Sequence, residues 1–188
     1  MESSETNFRK LISLSKKDLL RRLAEDNTVR EWLRSNVNYS VSEGSHKLRG
    51  IKIFLSYATP DVEKVTELYE WLLAAGMKPW FAPRSIKSGE KWELAIQTAI
   101  QQSDFFIVCL SSNTVNKRGV IQKEIRTALE ISASMLDDDI YLIPVRLEDC
   151  PVPAALQHLQ YLDLFEAKGY NELMWAIQKG IERRHRGR

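Results

Sequence analysis

From residue 50 onward, apolar residues fall into short blocks that switch between a strand-like and a helical period. Ile51-Lys52-Ile53-Phe54-Leu55-Ser56-Tyr57 is a mostly apolar run of strand length. Val65, Leu68, Leu72 and Leu73 then recur at helical spacing, which predicts a helix over 62–75 with all four inward and Gly76 as its stop. A brief strand is expected over 78–81, and Trp92, Ile96, Ala99 and Ile100 mark a further helix. Phe105-Phe106-Ile107-Val108-Cys109-Leu110 is a near-continuous apolar strand, a pattern that requires burial on both faces. Another helix is expected over 120–134, ended by the acidic turn Asp137-Asp138-Asp139. Strands over 140–145 and 161–164 follow, then a helix over 171–183 with Leu173, Met174, Ile177 and Ile181 inward. Five strands alternating with helices specify an α/β fold, a flavodoxin-like open parallel sheet flanked by helices. Binding sites in such sheets lie outside the carboxyl ends of the strands, here the loops after Tyr57, Phe81 and Leu110.

The first 37 residues read differently. Ser15 followed by Asp18, and Thr28 followed by Glu31, resemble helix-capping pairs. Leu19, Leu20 and Leu23 form one apolar stripe, Val29, Trp32 and Leu33 a second, and Phe8, Leu11 and Ile12 a shorter third. Helices this short are marginal alone, because nucleation is costly and little surface is buried. Segment 1–37 is therefore expected to be an interaction or oligomerisation module, or else a lid on the main core or a disordered arm. Residues 38–49, rich in serine and carrying Gly44, read as a linker. The main domain should occupy 50–184, with a basic tail at 185–188.

Composition narrows the function. Hydrophobic residues make up 44% and charged residues 28%, as in ordinary globular domains. Lys and Arg total 27 against 25 Asp and Glu, a net charge of +2 that provides no footprint for nucleic acid or an anionic membrane. The longest apolar runs are too short to span a bilayer, and the start lacks the pattern of a secretory signal. Cys109, Cys150, His46, His158 and His185 are scattered, so neither a disulfide framework nor a metal signature is present. The expectation is a reduced, cytoplasmic, metal-free protein with no bound cofactor. Neither G-x-G-x-x-G nor a Walker motif occurs, which argues against dehydrogenases and nucleoside triphosphatases.

Several segments, taken in order, resemble one family. Ile53-Phe54-Leu55-Ser56-Tyr57 resembles the first-strand signature of Toll/interleukin-receptor (TIR) domains. Phe81-Ala82-Pro83-Arg84-Ser85-Ile86-Lys87-Ser88-Gly89-Glu90-Lys91-Trp92 is similar to the family's BB loop, with its glycine and following aromatic. Ala99-Ile100-Gln101-Gln102-Ser103-Asp104 leads into the third strand in the family's manner, and Lys123-Glu124-Ile125 with Ala128-Leu129 resembles the helix bearing the catalytic glutamate of TIR NADases. The resemblance implies a compact prokaryotic NADase-type TIR protein with a short N-terminal helical extension, taking NAD⁺ as substrate.

By that resemblance Glu124 is the catalytic carboxylate, while Ser56, Tyr57, Phe81, Arg84, Trp92 and Val120 line the substrate site. By residue type alone, a helical Glu is a solvated surface group, Phe81 and Trp92 are core filling, and Arg84 is an exposed loop cation. Two departures stand out. Val120 occupies the position, one helical turn before Glu124, where many active relatives carry a Trp. Ala82 replaces an acidic residue often found early in the BB loop. The resemblance also implies self-association through loop 82–91, aided by the N-terminal helices, with other TIR or helical adaptor proteins as further partners. Two functions compete: an NAD⁺ glycohydrolase of defence or cell-death signalling, and a non-catalytic adaptor that only recruits other TIR domains.

Overall fold

The computed structural model describes residues 48–86, 88–115, 120–136 and 139–186, all within one compact unit, Glu43–Arg188. The expected N-terminal helices, most of the linker, Lys87, the Asp137-Asp138 turn and residues 187–188 lie outside the described residues, as do the side chains of Val115, Val120, Ile121 and Arg186.

Five strands form one sheet: β1 (Lys52–Ser56), β2 (Lys78–Trp80), β3 (Phe105–Leu110), β4 (Leu142–Arg146) and β5 (Leu162–Asp163). Every pairing is parallel, and the order is β2-β1-β3-β4-β5, the flavodoxin-like arrangement expected. The helices are α1 (Val62–Ala74), α2 (Ala82–Ser85), α3 (Trp92–Gln102), α4 (Ser112–Val115), α5 (Val120–Ala133) and α6 (Gly169–Arg186). Short 3-10 turns at Thr59–Asp61 and Ala154–Leu156 complete the connections.

All six residues of β3 are buried, so helices cover both faces of the sheet. On one face, Phe54, Phe106, Val108 and Leu110 pack with Ile100 of α3 and with Ile125 and Ala128 of α5. Trp80, Phe54 and Phe106, neighbours in register across β2, β1 and β3, stack at 4.9 and 5.2 Å between ring centroids. This aromatic ladder fixes the strand register on that face. Alternate residues point the other way, where Phe105 meets Gly180 of α6.

Helix α1 buries Val65, Leu68 and Leu72, but Leu73 is 40% exposed and corrects its inward assignment. It lies one position off the buried stripe, at its flank. Past the helix, the N–H of Gly76 donates to the Leu73 carbonyl and that of Met77 to the Leu72 carbonyl. Gly76 adopts φ 87°, the left-handed conformation this type of helix end requires. The final helix buries Leu173, Met174, Ile177 and Ile181 as expected, but it runs on to Arg186, so the start of the expected basic tail is helical. At the other end, Leu48 is buried although it falls in the expected linker.

Candidate functional site

The strand order reverses between β1 and β3, and β1 ends there at Ser56, in register with Val108. This is the switch point at which open α/β sheets form their binding crevices. Ser56 shares the parity of Phe54 and so faces α5. Glu124 lies one turn before the buried Ala128 on α5, near the helix start and hence at the carboxyl edge of the sheet. The Ser56 hydroxyl donates a 2.6 Å hydrogen bond to Glu124 Oε2. Burial pushes the Glu124 carboxyl above its ordinary value, and the Ser56 hydrogen bond pulls it back part of the way.

Tyr57 leaves β1 beside this pair and is half-buried. Burial, followed by the negative charge of Glu124, pushes its phenol up to about 12, so the ring stays neutral at physiological pH. The Tyr57 ring packs on Phe81 at 5.3 Å, and Phe81 packs on Tyr69 of α1 at the same separation. Phe81 is 2% exposed, just past β2, and forms the floor under Tyr57.

The segment after Phe81 corrects the expectation of a continuous loop over 82–91. Its first four residues form α2, a single turn with proline in its opening positions. The Phe81 carbonyl accepts from the N–H groups of Arg84 and Ser85, while the Phe81 N–H donates to Ser85 Oγ at 3.0 Å. Arg84 forms an ion pair with Glu70 of α1 and lies 4.9 Å over the Tyr69 ring. Gly89, with φ 91°, makes the turn that leads into α3. Trp92 opens α3 and is 50% exposed, so it is not core filling. Among the described residues, no ring contact or hydrogen bond joins it to Glu124. Val120 begins α5, and its side chain lies outside the described residues.

Direct contacts thus link Ser56 to Glu124 and Tyr57 to Phe81, with Arg84 joined to the same aromatic row through Tyr69. Beside this group lies a polar cluster that reading the chain residue by residue does not reveal. Asp61 is 4% exposed and accepts from Ser111 Oγ at 2.5 Å and from Asn113 Nδ2 at 2.8 Å. Thr114 Oγ1 donates to the Cys109 carbonyl at 3.0 Å. These bonds tie the turn after β1 to the turn after β3. The run Ser111-Ser112-Asn113-Thr114 directly after an apolar strand is the sequence signal for such a polar turn. Further along the same edge, Glu148 accepts from Lys64 Nζ at 2.6 Å, and from the N–H and hydroxyl of Ser112 at 3.0 and 2.7 Å. The Lys64 bond, with the Ser112 bonds, pulls the Glu148 carboxyl down to about 2.

Cys109 and Cys150 are free and buried, and burial raises both thiols above the ordinary range. Among the described residues, no group of three His, Cys, Asp or Glu side chains is placed to hold a metal ion, and no helix is long and apolar enough to cross a membrane.

The sheet order and the polar residues gathered at its switch point define a flavodoxin-like α/β domain. A profile of the TIR domain matches residues 53–174, and the chain belongs to that family. Among solved structures it is similar to the TIR domain of the Toll-related receptor TRR-2 from Hydra magnipapillata. That match has 26% identity and a TM-score of 0.57, and covers 67% of this chain and 97% of the other. A looser likeness joins it to the TIR domains of the activated Roq1 resistosome that directly recognizes the pathogen effector XopQ. There the identity is 19% and the TM-score 0.48, over 70% of this chain and 82% of that one. No curated protein matches the chain significantly.

Proposed function

We propose that this TIR domain is an NAD⁺ glycohydrolase, switched on by self-association in cytoplasmic defence or cell-death signalling. The observation that carries the reading is Glu124: a helical carboxylate that would ordinarily be solvated instead faces the end of β1, bonded to Ser56 at 2.6 Å. A carboxylate held there, half-buried at the switch point of the sheet, is a costly feature for stability alone.

The chemistry asks little more of the protein. The nicotinamide ring of NAD⁺ is cationic, so when its bond to ribose C1′ breaks, the ring takes the electron pair and leaves neutral, without a general acid. The ribosyl group left behind carries positive charge shared between C1′ and the ring oxygen. A nearby carboxylate stabilises that charge as it develops, and grips the ribose hydroxyls. Water then adds its oxygen to C1′ and releases a proton, giving ADP-ribose; capture by another group of the same molecule gives a cyclic product. Tyr57 supplies a neutral aromatic wall beside the carboxylate. Trp92, half-exposed at the start of α3, offers a face on which a substrate ring can stack. Arg84 is a cation for the pyrophosphate only if it leaves Glu70.

One observation favours a second reading. Val120 replaces the aromatic residue that would stand one turn from Glu124, which suits a non-catalytic adaptor that recruits other TIR domains. Incubating the purified full chain with NAD⁺ at high protein concentration, and separating products by chromatography, decides between them. Release of nicotinamide that Glu124→Ala abolishes supports the glycohydrolase. No release at any concentration leaves the adaptor.

A further inference from the structure

We propose that Ser56 is a positioning residue that acts through Glu124 and makes no contact with substrate of its own. The inference rests on the NAD⁺-cleavage reading and replaces the substrate-lining role that the family resemblance implies for Ser56.

Three features of the structure carry it. Ser56 is 1% exposed, so its hydroxyl is closed to a ligand occupying the crevice. Its single proton is spent on Glu124 Oε2 at 2.6 Å, a charge-assisted geometry. Its backbone is the last residue of β1, a strand paired on both sides, which anchors the hydroxyl to the most rigid part of the fold. Glu124 by contrast rides on a flexible side chain whose freedom must be removed if its charge is to meet C1′ in one geometry. The strand end holds one carboxylate oxygen and leaves the other for the ribosyl cation.

The same bond governs charge. Burial disfavours the ionised carboxylate, and a hydrogen bond donated to it favours the ionised form. The polar groups facing Glu124 from β1 and its following turn are Ser56 and the neutral Tyr57 phenol. Helix α3 and strand β4 contribute the apolar Ile100 and Leu142 to the core that α5 shares, while Lys123 and Arg126 on α5 itself are exposed. Among the described residues, Ser56 is therefore the hydrogen-bond donor that favours the charged form of the carboxylate.

The test compares wild type, Ser56→Ala and Ser56→Thr as full chains, with thermal melts to confirm folding. Hydrogen bonds to charged groups are strong enough that Ser56→Ala should lower kcat on the order of tenfold or more. KM for NAD⁺ should stay near wild type, and the acid limb of the pH–rate profile should move to higher pH. Ser56→Thr keeps the hydroxyl and should recover most of the rate. A direct titration of Glu124 by ¹³C-carboxyl NMR should show its pKa rising in Ser56→Ala, with or without turnover. A raised KM at unchanged kcat, or an unmoved Glu124 titration, overturns the positioning role while leaving the NAD⁺ reading intact. A wild type that releases no nicotinamide overturns that reading, and the role of Ser56 in the reaction falls with it.

Discussion

Ser56 and Glu124 are 68 residues apart in the chain, and their side chains meet at 2.6 Å where β1 ends. The contact joins the first strand of the sheet to the helix that follows the third. It also places a carboxylate where burial opposes its charge.

That opposition has a sign that can be measured. Because the folded value of Glu124 is raised, its contribution to stability is present below the ordinary carboxylate value and lost as pH rises through the folded one. Wherever it is ionised, the group is a net burden on the fold. Glu124→Gln should therefore melt no lower than wild type at pH 7, with any advantage shrinking as pH falls and wild-type Glu124 takes up its proton. NAD⁺ cleavage should drop on the order of 10²–10³-fold in the same variant. Calorimetry beside the product assay checks both, and a marked fall in melting temperature would recast Glu124 as a structural residue.

Glu148 has the opposite sign. Its carboxyl is held down at about 2 against an ordinary value of 4.5 by Lys64 and Ser112. Its contribution is complete above the ordinary value and disappears as pH falls toward the folded one. The pair with Lys64 is partly exposed, with side chains 48% and 34% accessible, so solvent screening keeps the effect small. Glu148→Gln should cost roughly 0.5–1 kcal/mol at pH 7. Urea unfolding at pH 7 and again near pH 3 should show the difference from wild type narrowing at the lower pH.

Gly169 tests the packing where β5 turns into α6. Replacing a helical glycine by alanine ordinarily stabilises. Here an added Cβ would sit 2.3 Å from the Asp163 carbonyl oxygen and 2.7 Å from Leu164 Cα, both backbone atoms that cannot swing aside. Asp163 is itself held by Arg146, whose Nε and Nη2 donate to its two oxygens at 2.5 and 2.8 Å. Gly169→Ala should therefore destabilise by about 1–3 kcal/mol, as overpacking does. Equilibrium urea denaturation would measure it, and a more stable variant would contradict the packing described for this corner.

These particulars show what one sequence makes legible. The apolar run from Phe105 to Leu110 predicts a doubly covered strand, and all six of its residues are buried. Leu73 is harder to place from the sequence, since one step around a helix separates a buried position from a flank. Helix α2 is too short to show a period. Glu124 is legible through the family resemblance, because its residue type alone reads as solvated surface. The Ser56–Glu124 bond and the Asp61–Ser111 bond span 68 and 50 residues, and no local pattern announces such pairings. They follow from the parallel sheet order, which brings the ends of β1 and β3 side by side.

Pro83, Arg84, Ser88, Gly89, Glu90 and Lys91 are all exposed, as is one side of the half-exposed Trp92 that follows them. Phe81, which begins the segment, is also the ring on which Tyr57 rests, and Tyr57 sits directly after Ser56. A neighbouring domain docked on these residues would therefore press on the aromatic row that borders the Glu124 carboxylate. If an isolated chain holds the competent arrangement as a minor population, association shifts the balance toward it. If the apolar stripes before residue 38 serve as the second point of attachment that the family resemblance implies, tethering makes the remaining contact effectively intramolecular. Specific activity toward NAD⁺ should accordingly rise with protein concentration. Deleting residues 1–45 should weaken it more in dilute than in concentrated solution, with circular dichroism confirming that the shortened chain is folded. Sedimentation and turnover measured together across one dilution series check this. A strictly monomeric chain with constant specific activity would refute assembly as the switch, and would leave cleavage by Glu124 to stand or fall on its own assay.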